Sequence, residues 1–255
     1  RGDTDLAVSK LIEALRWRSQ HQSLLEGSGP LASDIRCVGL DAEGCAVVYT
    51  CCANQSMQLS PCIDLVMGEL DRATTLLDLH GGTSGQFVYV YDVFGFSLMK
   101  NLNPTPMLRL AARMNSYYAE RVCQVIVVDM PRAANFVWEL VSSVLPTRTR
   151  EKIVFTQRDE CLKILAARCH GRDGQGGAPT LARVREAMHA NRTPGSTIES
   201  RRLHWNASTW CGDASRMVGT SVGSSASREQ RLALLARMEA ARMRRLGEAG
   251  GSPGK

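Results

Sequence analysis

The sequence predicts an α/β fold built on a mostly parallel sheet with flanking helices, and three observations carry that prediction. Residues 122–128 read Val-Cys-Gln-Val-Ile-Val-Val, a nearly continuous apolar run rich in β-branched residues. Such runs belong to strands buried on both faces. Strand-like segments alternate with helical segments of a dozen or so residues, the pattern of right-handed βαβ crossovers. The 255 residues are 44% hydrophobic and 22% charged, enough for an ordinary core, which excludes a wholly disordered or fibrous chain.

The elements follow in order. Leu6, Leu11, Ile12 and Leu15 recur near a 3.6 period, and acidic Asp3 and Asp5 precede them, so residues 5–20 are a predicted helix ending before Gly27-Ser28-Gly29-Pro30. The turn Asp41-Ala42-Glu43-Gly44 leads into a strand at 46–51. Pro61 suits a first helical turn and opens a helix carrying Ile63, Leu65, Val66, Leu70, Leu76 and Leu77. A strand at 87–91 stops at Asp92-Val93-Phe94-Gly95, a helix spans about 106–118, and the β-branched strand 122–128 ends at Asp129-Met130-Pro131. Residues 135–145 are helical, 152–156 form a last strand, and folded structure is expected to end near residue 170. Beyond it lie four glycines within 171–177 and a Ser/Gly tract at 219–227, both of linker composition, then an Ala/Leu/Met/Arg/Glu-rich stretch at 226–246 expected to be helical.

The formal charge of +6 is unevenly placed. Residues 1–170 carry 17 basic and 18 acidic side chains, residues 171–255 carry 14 and 7, so the excess belongs to the C-terminal third. Arg228, Arg231, Arg242 and Arg245 share a helical arc with Leu235 and Met238. No apolar run approaches the ~18 residues of a membrane span, and the opening Arg1-Gly2-Asp3 gives no reading of targeting. Nine cysteines, an odd number without C-x-x-C pairs, point to reduced thiols and a cytoplasmic setting. Cys161, Cys169 and His170 lack a fourth ligand at zinc spacing, so no metal is expected.

Two motif matches fail on context. Gly219-Thr220-Ser221-Val222-Gly223 is a literal G-x-S-x-G, but no Asp or His follows Ser221 to complete a triad. Gly81-Gly82-Thr83-Ser84-Gly85 lacks the phosphate-loop lysine and precedes a strand instead of following one. Polar residues do gather at strand ends. Asp92, Ser97 and Asp129 fall where open α/β sheets bind ligands. Glu120-Arg121 reads either as part of such a site or as a simple cap and pair at a helix-strand junction. Lys152, one of only five lysines against 26 arginines, leads into the last strand close to Thr149. The helix at 135–145 carries Phe136, Val137, Trp138, Leu140, Val141 and Val144 around most of its circumference. It reads as a buried core helix or as a lid over an apolar ligand.

Taken in order, these residues resemble the CRAL-TRIO lipid-binding family. The series comprises Asp92-Val93-Phe94-Gly95-Phe96-Ser97, then Tyr117-Tyr118-Ala119-Glu120-Arg121, the apolar strand closed by Pro131, the aromatic-rich helix 136–145, and Thr149-Arg150-Glu151-Lys152-Ile153. Leu15-Arg16-Trp17-Arg18 and Gly39-Leu40-Asp41-Ala42-Glu43-Gly44 extend it upstream. The resemblance implies a mixed, mostly parallel sheet with flanking helices around an apolar lipid pocket. It implies a partial N-terminal helical subdomain at 1–28 and a lipid-binding domain at 29–170, while composition and charge make 171–255 a basic, mostly disordered tail. Carried over by position, Glu120, Thr149, Lys152, Arg18 and Ser97 would hold a phospholipid head group, and the helix bearing Phe136 to Val144 would be the gate.

The function so implied is non-enzymatic: a monomer that holds one phospholipid, phosphatidylinositol, and exchanges it with membranes. It needs no cofactor and no nucleic acid, and reaches anionic membrane surfaces transiently through its basic tail. The rival expectation is a degenerate lipid-binding fold serving as a protein-interaction or membrane-recruitment module.

Overall fold

The computed structural model describes residues 4–25, 32–79, 85–101, 105–118, 120–170 and 177–201. The helices are α1 (Thr4–Gln20), α2 (Gln22–Leu25), α3 (Ile63–Leu79), α4 (Leu98–Asn101), α5 (Thr105–Tyr117), α6 (Asn135–Val144), α7 (Thr147–Arg150), α8 (Arg158–Cys169) and α9 (Ala178–Arg192). The strands are β1 (Arg36–Leu40), β2 (Ala46–Cys51), β3 (Phe87–Asp92), β4 (Val122–Val128) and β5 (Ile153–Thr156). They form one sheet in the order β1-β2-β3-β4-β5, with β1 antiparallel to β2 and the other pairs parallel.

Parallel strands need both faces covered, and β2 is buried at all six positions. Alternation sorts the side chains. Val47, Tyr49, Val88, Val90, Ile126 and Val128 pack with α8 and α9 on one face. Ala46, Val48 and Phe87 meet α1 and α3 on the other, where Tyr91, Val125 and Ile153 also lie. Trp17 fixes α1 to this second face, its indole N–H donating to Asp64 of α3 at 2.9 Å.

Within the described residues the predicted helices and strands are present with small changes in their ends; besides the four-residue helices α2, α4 and α7, three longer elements were not foreseen. Strand β1 is short and contains Gly39, where the register to β2 shifts. Gly39 has φ +143°, and an added Cβ would stand 2.2 Å from Thr180 Oγ1 of α9. That approach lets Thr180 donate to the Leu40 carbonyl at 2.7 Å and Arg183 to the Val38 carbonyl at 3.1 Å.

The other two are α8 and α9, and α9 corrects the expected end of the fold near residue 170. Leu181, Val184, Ala187 and Met188 are at most 7% exposed and belong to the main core. Burial of the three larger side chains contributes about 5–9 kcal/mol. The apolar set recurs at helical spacing, but the glycines before it and the charged residues among it disguised the helix as linker. Arg201 continues the ordered chain, donating to Asn54 Oδ1 at 2.8 Å and the Ala53 carbonyl at 2.9 Å. The predicted helix at 226–246 and the Ser/Gly tract lie outside the described residues.

Candidate functional site

A cavity of about 390 Å³ lies between the sheet and helices α5 and α6, within the range of small-molecule sites. Its floor is the sheet face carrying Tyr89, Tyr91, Val125, Val127 and Ile153. Met107, Leu110 and Met114 of α5 form one wall, and Val137, Trp138 and Val141 of α6 another. The floor is apolar because β3, β4 and β5 place every second side chain on this face.

Helix α6 divides the six residues assigned to a gate. Val137, Trp138 and Val141 line the cavity. Phe136, Leu140 and Val144, assigned to the same gate helix, are 40%, 38% and 44% exposed: at i, i+4 and i+8 they form an outward apolar stripe. Trp138 meets Phe155 edge-on, with ring centroids 4.9 Å apart. A second hollow of about 520 Å³ opens beside α6, and Met130, Trp138 and Phe155 line both spaces. The helix therefore has open volume on two sides.

Polar side chains gather along one part of the lining. Glu120, Thr149 and Lys152 come together there with Arg148 and Asn115, and Lys10 of α1 also lines the cavity. Arg148 Nη2 lies 3.1 Å from Glu120 Oε2, and Lys152 Nζ lies 3.9 Å from the same oxygen. Lys152 also donates to the Val122 carbonyl at 2.8 Å, and Thr149 donates to Asn115 Oδ1 at 3.1 Å. Glu120 adopts φ +62° at the turn into β4, an uncommon conformation for a non-glycine residue. Arg148 was missed, although its place one residue before Thr149 and four before Lys152 is a usable signal.

The other expected contacts are corrected. Arg18 does not line the cavity: its Nε and Nη2 donate to Asp71 Oδ1 at 2.9 and 2.7 Å, and its guanidinium lies over the Tyr118 ring. Burial works against the Arg18 charge, but Asp71 more than compensates and holds the pKa above its ordinary value. Ser97 is also outside the lining. Asp92 and Asp129 serve the opposite side of the sheet. Arg192 of α9 forks onto both Asp92 oxygens at 2.7 and 2.9 Å and reaches Asp129 Oδ2 at 2.7 Å. Tyr49 donates to Asp92 Oδ2 at 2.7 Å and accepts from Asn191 at 2.9 Å. This cluster joins α9 to the ends of β3 and β4.

The eight described cysteines are free thiols. Cys51 and Cys52 border the cavity, and Cys52 donates to the Tyr91 hydroxyl at 3.2 Å. Burial pushes the Cys52 thiol up to about 12; the Tyr91 bond opposes that shift and the Asp92 charge adds to it. The thiolate is the reactive form, so Cys52 should alkylate at pH 8 about 1,000-fold more slowly than an unfolded-chain cysteine. Peptide mass spectrometry after timed alkylation checks this, and comparable rates would contradict the buried placement.

Among the described residues no helix is long and apolar enough to cross a membrane. No curated protein sequence matches the chain. The structure described as "Crystal structure of Sfh5" is similar at a TM-score of 0.46 and 18% identity, over 59% of this chain and 60% of that one. This chain thus covers less than two thirds of that protein. The profile of the CRAL/TRIO domain matches residues 37–172, from β1 through α8. That stretch is more than half of the 255 residues and contains the sheet floor, α6 and the Glu120–Lys152 cluster, so the chain belongs to the CRAL/TRIO domain family.

Proposed function

We propose that this protein carries one phospholipid, phosphatidylinositol, and exchanges it with membranes without performing covalent chemistry. The observation that carries the reading is an apolar cavity with Glu120, Thr149 and Lys152 together in its lining. Acyl chains would occupy the space over Tyr91, Val125 and Val127. The head-group phosphate would take the Lys152 ammonium and the Thr149 hydroxyl, while the Glu120 carboxylate accepts from inositol hydroxyls. Helix α6 would be the gate, since it walls the cavity with one face and presents Phe136, Leu140 and Val144 outward with the other.

Lys152→Ala should slow transfer of labelled phosphatidylinositol between vesicles at least tenfold, with little change in fold because the side chain lies beside the cavity. Equal transfer rates would overturn the head-group assignment.

The outward stripe on α6 also favours a second reading, an interaction module that has kept the fold and lost the cargo. Native mass spectrometry separates the two: a co-purifying lipid supports the carrier, and a ligand-free mass supports the module. The basic tail contributes to docking in either case. Residues 202–255 hold nine basic and four acidic side chains, and each basic residue near an anionic surface contributes roughly 1 kcal/mol, diminishing with salt.

A further inference from the structure

The charge of the cavity lining says more about the head group than the apolar walls do. Four formally charged residues line the cavity among the described residues: Lys10, Arg148 and Lys152 are cationic and Glu120 is the one carboxylate. Glu120 Oε2 faces both Arg148 and Lys152, so it neutralises one charge and leaves a net +2. A phosphodiester head group brings a single negative charge and leaves one cation uncompensated. A phosphomonoester brings about −1.5 to −2 at neutral pH, with three acceptor oxygens. A guanidinium can fork onto two of those oxygens, and Arg148 is placed to do so where Arg18, held by Asp71, is not.

We propose that the site selects lipids whose head group ends in a phosphomonoester, as in phosphatidic acid or a phosphorylated inositol lipid, over lipids carrying a phosphodiester alone. The inference rests on the reading of the site as a phospholipid carrier and ranks its cargo, placing phosphomonoester lipids ahead of the phosphatidylinositol named above. In this scheme Arg148 leaves Glu120 for the incoming phosphate, and Lys10 approaches from α1. Glu120 remains with Lys152 or accepts a hydroxyl of the head group. Arg148 and Glu120 are 74% and 62% exposed at their side chains, so solvent screening keeps the expected discrimination moderate.

The test incubates the full chain with phosphatidylcholine vesicles containing equal amounts of phosphatidic acid and phosphatidylinositol, re-isolates the protein and quantifies bound lipid by mass spectrometry. At pH 7.5 phosphatidic acid should be enriched over phosphatidylinositol by roughly threefold to tenfold. The enrichment should shrink towards unity near pH 5, because the second ionisation of a phosphomonoester lies at about pH 6 and a phosphodiester has none there. Arg148→Gln with Lys10→Gln should remove most of the enrichment, lowering phosphatidic acid capture more than phosphatidylinositol capture. Capture of phosphatidylinositol at parity or better overturns the monoester preference and leaves the carrier reading standing. Recovery of neither lipid overturns both. Glycerol 3-phosphate is the soluble control: calorimetric binding as tight as the lipid's would make a free phosphate ester the ligand and overturn the lipid assignment.

Discussion

Replacing Arg192 by methionine is expected to destabilise the fold by about 3–5 kcal/mol, the usual consequence of removing one partner from a buried ion pair. Arg192 is the hub of the cluster behind the sheet, with its side chain 15% exposed and the Asp92 side chain wholly buried. Burial opposes the Arg192 charge, but the bonds and charges of Asp92 and Asp129 more than compensate and raise its pKa. Its guanidinium also lies 4.7 Å from the centre of the Phe94 ring. Without it, Asp92 would keep the Tyr49 hydroxyl and the Phe94 backbone N–H as donors but lose its counter-charge. In urea, where small proteins have slopes of about 1–3 kcal/mol/M, the midpoint should fall by roughly 2 M. Adding Asp92→Asn should recover part of the loss by removing the orphaned charge, a coupling that a double-mutant cycle reads directly. A midpoint within roughly 0.5 M of the parent would show that the cluster is structurally dispensable.

Ending the chain at residue 172, the last residue of the family match, should abolish cooperative folding, whereas ending it at residue 201 should not. The shorter chain loses Leu181, Val184 and Met188 from the core, a burial of about 5–9 kcal/mol. It loses Arg192 as well. Domains of this size have only about 5–15 kcal/mol in total. The face of Val47, Val88 and Val90 that α9 helps cover would open to water. Urea unfolding followed by near-ultraviolet circular dichroism distinguishes the two chains: a sigmoidal transition is expected for 1–201 and a featureless slope for 1–172. The longer truncation should also keep bound lipid while losing affinity for acidic vesicles. A cooperative 1–172 chain would refute the role assigned to α9.

Much of the sheet was legible because its signal is local. A run such as Val122–Val128 can satisfy its side chains only between two covered faces, and β2, β3 and β4 behave accordingly. Thr149 and Lys152 were legible as a pair for a similar reason: three positions apart and adjoining one helical turn, they stay together in any arrangement that keeps α7. The strands that carry no such run fared worse. β1 has five residues with a glycine among them, and its pairing partner β2, not its own composition, makes it a strand. Helix α9 had an apolar stripe at the right spacing, but a charged helix becomes part of a core only when a neighbouring face needs covering.

By itself, then, the sequence determined the strands β2 to β5, the helices α1, α3, α5 and α6, and the resemblance that groups Glu120 with Thr149 and Lys152. The tertiary structure decided which charges are available to a ligand. Arg18 and Arg148 carry the same guanidinium, yet Arg18 is held by an aspartate 53 positions away while Arg148 stands at the cavity opposite a surface carboxylate. Asp92 and Asp129 end their strands where a ligand crevice was expected, yet side-chain alternation turns Asp92 towards α9, and Arg192 claims them both. The physical reason is the same in each case. A backbone preference acts over a few neighbouring residues, whereas the role of a charge depends on the partner that folding brings to within about 3 Å of it.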